Sequence, residues 1–237
     1  MKKNNFTFNL IASDTPRTRA YIDQMIKNEL FPKKIILLKK NSIAEKLKFR
    51  ANPYFDNETE LVDKILKLKK NKIERINVNT SNDMRCLKNV MSSKESFFIF
   101  SSNPGEILRK EYFDKGKIYL HVHPGKLPNF KGSTPYYYEI LKDKKITFTS
   151  LFMSYKLDQG KVIFSKSFNT HKLKYYDRMA LDDILDPYLR SLVLIETLKK
   201  FKVKNIKNAI SVKKNNKDYS NYFVIHPVLK NIAIYKK

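Results

Sequence analysis

Short apolar runs alternate with amphipathic segments along the first half of the chain. Apolar residues dominate at 6–13, and the segment 33–40 contains four consecutive apolar residues; short apolar runs of this kind are typical of buried strands. Between the two runs, Asp14 or Thr15 is placed to cap a helix, and Pro16 suits the first helical turn. The order strand, helix, strand predicts the start of an α/β sheet.

The alternation continues through the middle of the chain. The segment 58–70 predicts an amphipathic helix, because Leu61, Ile65 and Leu68 recur at i, i+4 and i+7. Further strands are predicted at 73–79, 97–102 and 117–123, with helices at 83–91 and within 103–113.

The pattern changes after residue 145. Two strands, 146–155 and 161–168, flank the hairpin-like sequence KLDQG, and a long helix is predicted over roughly 186–202. We therefore predict an α/β protein with a Rossmann-like open mixed sheet, flanked by helices and more antiparallel in its C-terminal part. We expect one catalytic domain over 1–203, with a C-terminal extension, 204–237, packed on it.

The charge has two interpretations. The 237 residues carry a formal net charge of +25, and 40 of the 48 basic residues are Lys. Lys, Asn, Ile, Phe and Tyr share AT-rich codons, so genome composition alone accounts for a Lys-rich surface. The alternative is an anionic ligand such as a nucleotide, a phosphorylated substrate or a polyglutamylated cofactor. Because the Lys residues are scattered, without an arginine-rich stripe, we do not expect nucleic acid as a partner.

Other classes of protein are disfavoured. The longest apolar runs are four residues, far below the roughly 20 that a membrane helix needs. Polar residues interrupt the basic N-terminus, so it does not read as a signal peptide. Cys86 is the one cysteine, which excludes a disulfide framework and a cysteine-based metal site. We expect a cytoplasmic protein with no membrane partner.

The sequence HVHPGKLPNFKGSTPYYYEIL (121–141) concentrates the candidate chemistry. His121 and His123 alternate on a predicted strand, so both imidazoles lie on one face, and Pro124 ends that strand. In open α/β sheets, ligands bind beyond the carboxyl ends of the strands. Two hydrogen-bonded structural histidines are an alternative. A metal site would need more ligands than the two remaining histidines supply, so no metal is expected.

These residues resemble the catalytic core of the 10-formyltetrahydrofolate-dependent formyltransferases. That family acts on glycinamide ribonucleotide, methionyl-tRNA or sugar nucleotides, and this chain is similar in outline to the sugar-nucleotide N-formyltransferases. The family pattern is Asn-x-His-Pro-Ser-x-Leu-Pro followed by an Arg/Lys-Gly turn. It is matched here by His123, Pro124, Leu127, Pro128, Lys131 and Gly132. The sequence LDQG places Asp158 35 residues after His123, where the family has about 36. The resemblance spans roughly residues 6–168.

The resemblance implies catalytic roles for three residues. His123 is expected to stabilise the oxyanion and transfer a proton, and Asp158 to hold its imidazole; alone, Asp158 also reads as a hairpin-turn aspartate. His121 stands where the family has Asn, and its ring N–H is expected to donate to the oxyanion instead. Gly125, in place of Ser, is the second departure from the pattern.

The resemblance also implies a cofactor, 10-formyltetrahydrofolate, as formyl donor. The sequence SSNPGEIL resembles the family loop that holds the folate ring. The expected cofactor-binding residues are Ser102, Asn103, Gly105, Ile107, Leu157 and Gly160.

The acceptor is expected to be a small, anionic primary amine, most specifically a nucleotide-linked amino sugar. The first turn, ASDTPRTRA, lacks the glycines of purine-pathway members, and the tail after about residue 203 is shorter than the extra domain of tRNA-acting members. Arg17, Lys131 and Tyr136 are the expected acceptor-binding residues; Arg17 and Arg19 either hold a phosphate or are solvated. A tRNA or purine-precursor acceptor, a non-catalytic binding or regulatory protein, and a homodimer remain open.

Overall fold

The computed structural model describes residues 6–39, 52–68, 71–114, 116–173, 177–203 and 221–235. The chain divides into two compact units, Met1–His121 and Val122–Lys237.

The first unit is built on parallel strands. These are β1 (Asn9–Ala12), β2 (Lys34–Leu38), β3 (Lys72–Ile76), β4 (Phe97–Ser101) and β5 (Ile118–His123), the last of which continues into the second unit. Their order is β3-β2-β1-β4-β5, so β1 lies between β2 and β4. All four residues of β1 and all five of β4 are buried, because both faces of a parallel sheet are covered.

The helices of this unit lie within the predicted segments, although the second is shorter than the predicted 58–70. They are α1 (Pro16–Lys27), α2 (Leu61–Leu66) and α3 (Met84–Met91). The Thr15 side chain accepts a hydrogen bond from the Thr18 N–H at 3.2 Å, which caps α1, and Pro16 occupies its first turn. The predicted apolar positions are buried: Leu61 and Ile65 lie in α2, and Leu68 lies just beyond its end.

The helix predicted within 103–113 is wrong over most of its length. Only Lys110–Phe113 is helical, as a single 3-10 turn. Gly105 has φ +78°, a left-handed conformation that an α-helix does not contain.

The second unit combines an antiparallel hairpin with helices. Its elements are β6 (Lys131–Gly132), α4 (Pro135–Asp143), β7 (Lys145–Phe152), β8 (Lys161–Asn169), α5 (Asp186–Val203), β9 (Asn221–Tyr222) and α6 (Pro227–Tyr235). Strands β7 and β8 pair along their lengths with one irregularity at Ser150/Leu151. Helix α4 packs on β7 and on α6, and α5 packs on both strands of the hairpin. The predicted long helix is confirmed, with Ile195, Leu198 and Phe201 buried.

The predicted fold class is confirmed. Strands β1 to β5, β7 and β8 belong to one mixed seven-stranded sheet flanked by helices, parallel in its first five strands and antiparallel at β7 and β8. Of the expected extension 204–237, the structure describes 221–235. None of the helices within the described ranges is long and apolar enough to span a bilayer.

Candidate active site

His123 is the most enclosed of the candidate catalytic residues. It is the last residue of β5 and is 2% exposed. Its Nδ1 lies 3.2 Å from Asp158 Oδ1, and its Nε2 lies 2.8 Å from the carbonyl oxygen of Phe130. The structure therefore brings His123 and Asp158 together, and an oxygen atom faces each nitrogen of the ring.

Asp158 makes two contacts from an unusual backbone conformation. Its φ is +52°, in the left-handed region that few residues other than Gly, Asn and Asp adopt. While Oδ1 faces His123, Oδ2 accepts a hydrogen bond from the Gly132 N–H at 2.9 Å. The carboxylate thus links the His123 imidazole to β6. A solvent-exposed aspartate in a hairpin turn would make no such link.

His121 lies two residues before His123 on the same strand. Residues i and i+2 of a strand point to the same side, as predicted for this pair. The His121 side chain is half-buried, and its ring centroid is 6.4 Å from that of Phe100. It is thus more accessible than the enclosed imidazole of His123.

The backbone after His123 folds closely over its ring. A Cβ atom built on Gly125 would lie 2.5 Å from the Phe130 carbonyl oxygen and 3.1 Å from His123 Nε2. The Gly125 carbonyl accepts a hydrogen bond from Thr149 Oγ1 at 2.7 Å, which holds the glycine in place. Packing against Phe130 and His123 therefore requires glycine at position 125, which the sequence alone does not show.

The predicted folate loop lies in the first unit, directly after β4. Ser102 is fully buried, Asn103 is half-buried, and Gly105 and Ile107 are exposed, with Ile107 49% accessible. An exposed aliphatic side chain beside a glycine offers an apolar surface next to backbone polar groups. That combination fits a planar heterocycle such as the folate ring.

Glu106 holds this loop, a role that the sequence pattern does not predict. One carboxylate oxygen accepts hydrogen bonds from the Ser81 N–H and from Ser102 Oγ at 2.7 Å; the other accepts one from Asn103 at 2.9 Å. Burial alone would raise the pKa of Glu106, but the hydrogen bonds from Ser81, Asn103 and Ser102 outweigh it and lower that pKa below its ordinary value. No local sequence signal marks this role, because Ser81 is distant in the chain.

Replacing Glu106 by Gln should destabilise the protein in a pH-dependent way. A carboxyl group whose pKa is lower in the folded state contributes stability above the unfolded value of about 4.3 and loses it as the pH falls. We expect Glu106→Gln to lower the free energy of unfolding by about 1–2 kcal/mol at pH 7. The NH₂ group of Gln would face the hydrogen-bond donors that the carboxylate now accepts from, and it cannot accept a hydrogen bond. Urea unfolding from pH 7 down to about pH 3.5 measures this difference, which should shrink with acidification.

Glu111→Gln is the matched control for this change. Glu111 lies nearby in the 3-10 turn and is exposed, so its replacement should have little effect at any pH. A Glu106→Gln effect that stays constant from neutral to acidic pH would contradict the role of the charge.

The remaining cofactor residues, Leu157 and Gly160, lie in the second unit on either side of Asp158. Leu157 is 46% exposed. A Cβ atom on Gly160 would lie 1.8 Å from the Phe152 carbonyl oxygen, so the glycine is required by packing at the end of the hairpin.

The two arginines of α1 differ in what they contact. Arg19 is 2% exposed and bound by Asp14 at 2.8 and 3.0 Å, and its other terminal nitrogen donates to two backbone carbonyls. Arg19 is therefore a structural residue: it is neither solvated nor available to hold a phosphate. Arg17 is half-buried, with Nε 3.3 Å from Ser101 Oγ and a hydrogen bond to the Ser102 carbonyl.

The other expected acceptor residues are also largely enclosed. Lys131 is 5% exposed. Tyr136 is 4% exposed, and its hydroxyl and that of Tyr137 both donate to Asp182 Oδ1. Burial, with Asp182 and Asp186 nearby, raises the pKa of Tyr136 well above its ordinary value. Stacking of Tyr136 on an acceptor would require its ring to leave this position.

A separate cavity of about 310 Å³ opens in the first unit. It lies beyond the carboxyl ends of β2 and β3, the edge where ligands bind in open α/β sheets. Aliphatic side chains form most of its wall, and charged groups stand around it. The lining residues are Asp14, Leu37, Leu38, Lys39, Glu60, Leu61, Val62, Arg75, Ile76 and Asn77.

Two curated proteins match parts of the sequence. A methionyl-tRNA formyltransferase of Ehrlichia canis is 30% identical over 100 residues, which cover 42% of this chain and 30% of the relative. A methionyl-tRNA formyltransferase of Bacillus subtilis is 43% identical over 61 residues, 25% of this chain and 19% of the relative. The chain thus spans less than a third of either relative. No protein-family model matches it.

Solved structures match nearly the whole chain. A phosphoribosylglycinamide formyltransferase of Bacillus halodurans aligns with a TM-score of 0.58 and 14% identity, covering 85% of this chain and 98% of its own. The fold is that of the formyltransferases. A sugar 3N-formyltransferase, WlaRD, crystallised with dTDP and 5-N-formyl-tetrahydrofolate, has the same formyltransferase fold at a TM-score of 0.55 and 16% identity, covering 92% of this chain and 69% of its own.

The resemblance predicted from the sequence is confirmed at the level of the formyltransferase fold. The structural alignments establish the fold alone, because the sequence identities are low. The curated and structural matches include proteins named for tRNA, for a purine precursor and for a sugar.

Proposed function

We propose that this chain transfers a formyl group from 10-formyltetrahydrofolate to a primary amine. The observation that carries the proposal is the His123–Asp158 pair, 3.2 Å apart at the end of β5 in a formyltransferase fold. The resemblance of the sequence to the family implies that these two residues are its acid–base pair.

The residues have separate chemical tasks in this proposal. Bound 10-formyltetrahydrofolate supplies the formyl carbon, whose bond to the folate nitrogen breaks as the amine nitrogen bonds to it. Asp158 holds Nδ1 of His123, and Nε2, once it separates from the Phe130 carbonyl oxygen, takes the proton that the amine loses and returns it to the leaving nitrogen. An N–H of His121 donates to the carbonyl oxygen as negative charge develops there.

The His121 role gives a direct comparison of two variants. His121→Asn should keep formyl transfer within about tenfold of wild type, because the amide restores a donor of the family type. His121→Ala should lose about 10²–10³-fold in kcat, because no donor remains. Steady-state assays with saturating amine measure both, and equal inactivity of the two variants would mean that His121 has a task that an amide cannot perform.

For the acceptor, we propose a nucleotide-linked amino sugar. Support comes from the cavity beyond β2 and β3, whose apolar wall suits a nucleobase and whose Lys39 and Arg75 suit phosphate. The turn after β1 contributes no glycine for close approach of a phosphate, unlike the turn of purine-pathway members. The second candidate is methionyl-tRNA, favoured by the sequence matches to methionyl-tRNA formyltransferases.

One assay separates the candidates. Purified protein is offered 10-formyltetrahydrofolate with dTDP-, UDP- and GDP-linked 3- and 4-amino sugars, with initiator methionyl-tRNA or with glycinamide ribonucleotide. Release of tetrahydrofolate and mass of the product are followed. Formylation of a sugar supports the proposal, and a Lys39→Gln/Arg75→Gln double variant should then raise KM for that sugar more than an Arg85→Gln control. Formylation of tRNA or glycinamide ribonucleotide alone contradicts the sugar proposal, and no turnover together with no folate binding contradicts enzyme function.

A further inference from the structure

Both ring nitrogens of His123 face oxygen atoms of its own unit. Asp158 Oδ1 stands 3.2 Å from Nδ1, and the Phe130 carbonyl oxygen stands 2.8 Å from Nε2. The residue is 2% exposed. In this arrangement, no nitrogen of the ring is open to a substrate, although the proposed chemistry needs Nε2.

The position of the Phe130 carbonyl depends on Gly125. A Cβ atom at residue 125 would lie 2.5 Å from that oxygen, closer than non-bonded atoms approach, and 3.0 Å from Pro135 Cγ. Because the oxygen belongs to the backbone, it cannot give way by a simple rotamer change. Any residue other than glycine would force the carbonyl away from His123.

The 125–132 segment is held at both ends and is largely buried between them. At its start, Thr149 Oγ1 donates to the Gly125 carbonyl at 2.7 Å. At its end, the Gly132 N–H donates to Asp158, and Gly132 has φ +94°. Between them, Lys126 and Asn129 are exposed, whereas Leu127 and Phe130 are buried, and the Leu127 N–H donates to Thr149 Oγ1 at 3.3 Å.

We propose that Gly125 is a positioning residue that lets the 125–132 segment close on His123 through the Phe130 carbonyl. Nε2 can exchange a proton with a substrate only after this carbonyl withdraws. The family pattern has Ser at this position, so the closed arrangement is a property of this chain's glycine. The inference rests on the proposed function in giving His123 a catalytic role, but the closure itself is independent of formyl transfer.

Carbethoxylation of histidine by diethyl pyrocarbonate tests the closure without any substrate. The reagent attacks a ring nitrogen that is accessible and carries no proton, and mass spectrometry of peptides reads each histidine separately. The exposed His171 and His226 are internal references. In the wild-type protein, His123 should react at least tenfold more slowly than either reference.

Gly125→Ala should raise the carbethoxylation rate of His123 at least fivefold and leave the rates of His171 and His226 unchanged. In ¹⁵N-histidine spectra, the wild-type protein should show a slowly exchanging His123 Nε2 proton, and the variant should lose it. A merely structural role of Gly125 would lower the melting temperature without this selective change. Gly125→Ser introduces the family residue and should behave like the Ala variant.

Two results would overturn the closure. One is a wild-type His123 that reacts as fast as His171, which decides the matter even if the variants do not fold. The other is a folded Gly125→Ala protein whose His123 rate stays within twofold of wild type. Neither readout uses formyl transfer, so a protein that shows the closure but no turnover would refute the proposed function alone.

Discussion

His123→Ala should reduce the rate of formyl transfer by about 10²–10⁴-fold while the protein stays folded. The change removes the group proposed to carry the proton and leaves Asp158 without its imidazole partner, which stands 3.2 Å away in the wild-type protein. Single-turnover assays with a formylatable amine measure the chemical step, and circular dichroism reports the fold. Asp158→Ala should reduce the rate in the same direction, because Nδ1 is no longer held.

His171→Ala is the matched control for this effect. His171 is exposed and lies in a short 3-10 turn after β8, so its loss should change the rate by less than about twofold. A folded His123→Ala protein with near wild-type turnover would show that another group transfers the proton.

Gly160→Ala should cause the largest loss of stability among the single changes considered. The new methyl carbon would lie 1.8 Å from the Phe152 carbonyl oxygen and 2.9 Å from its carbonyl carbon. Neither atom can move without displacing β7, so we expect a cost of about 3 kcal/mol or more in the free energy of unfolding. Differential scanning calorimetry should record a fall in Tm of roughly 6–12 °C.

Gly116→Ala separates this packing effect from backbone strain. Gly116 has φ +64°, but a Cβ atom there would meet nothing within 4 Å. Its replacement should cost only about 1–2 kcal/mol, the usual penalty of a left-handed residue. A melting temperature of the Gly160→Ala protein equal to or above that of the Gly116→Ala protein would contradict a steric clash with the Phe152 carbonyl.

Most strands and helices were predictable because their signals are local. The apolar runs at β2 and β4 are buried on both faces, and Pro16 after Thr15 marks the start of α1. The alternation of His121 and His123 followed from strand geometry alone. The spacing of Asp158 from His123 became informative only through the family resemblance, because turns commonly carry aspartate.

Other features depend on contacts between segments that are distant in sequence. The helix predicted within 103–113 fails because Gly105 is left-handed and Glu106 is bound by Ser81, a residue in another loop. The requirement for glycine at 125 and 160 comes from the carbonyl oxygens of Phe130 and Phe152, whose proximity no local pattern reveals.

The sequence also does not show which of its many basic residues are buried. Lys64 is 1% exposed, and its Nζ lies 2.7 Å from Asp23 Oδ1 and 3.4 Å from Asp56 Oδ2. Arg19 is similarly enclosed by Asp14. Burial of a cation needs a carboxylate brought in by the fold, and that partner is not visible from the lysine or arginine itself.

The central position of β1 determines when the first unit can fold during synthesis. Asn9 pairs with Lys34 on one side but with Phe98 on the other, so the strand stays half-paired until β4 has left the ribosome. The exposed edge of an apolar strand is a site for association between nascent chains. The hairpin of β7 and β8, by contrast, pairs residues close in sequence and closes rapidly. Slow translation between β2 and β4 would therefore lengthen the period in which this protein is most prone to aggregate.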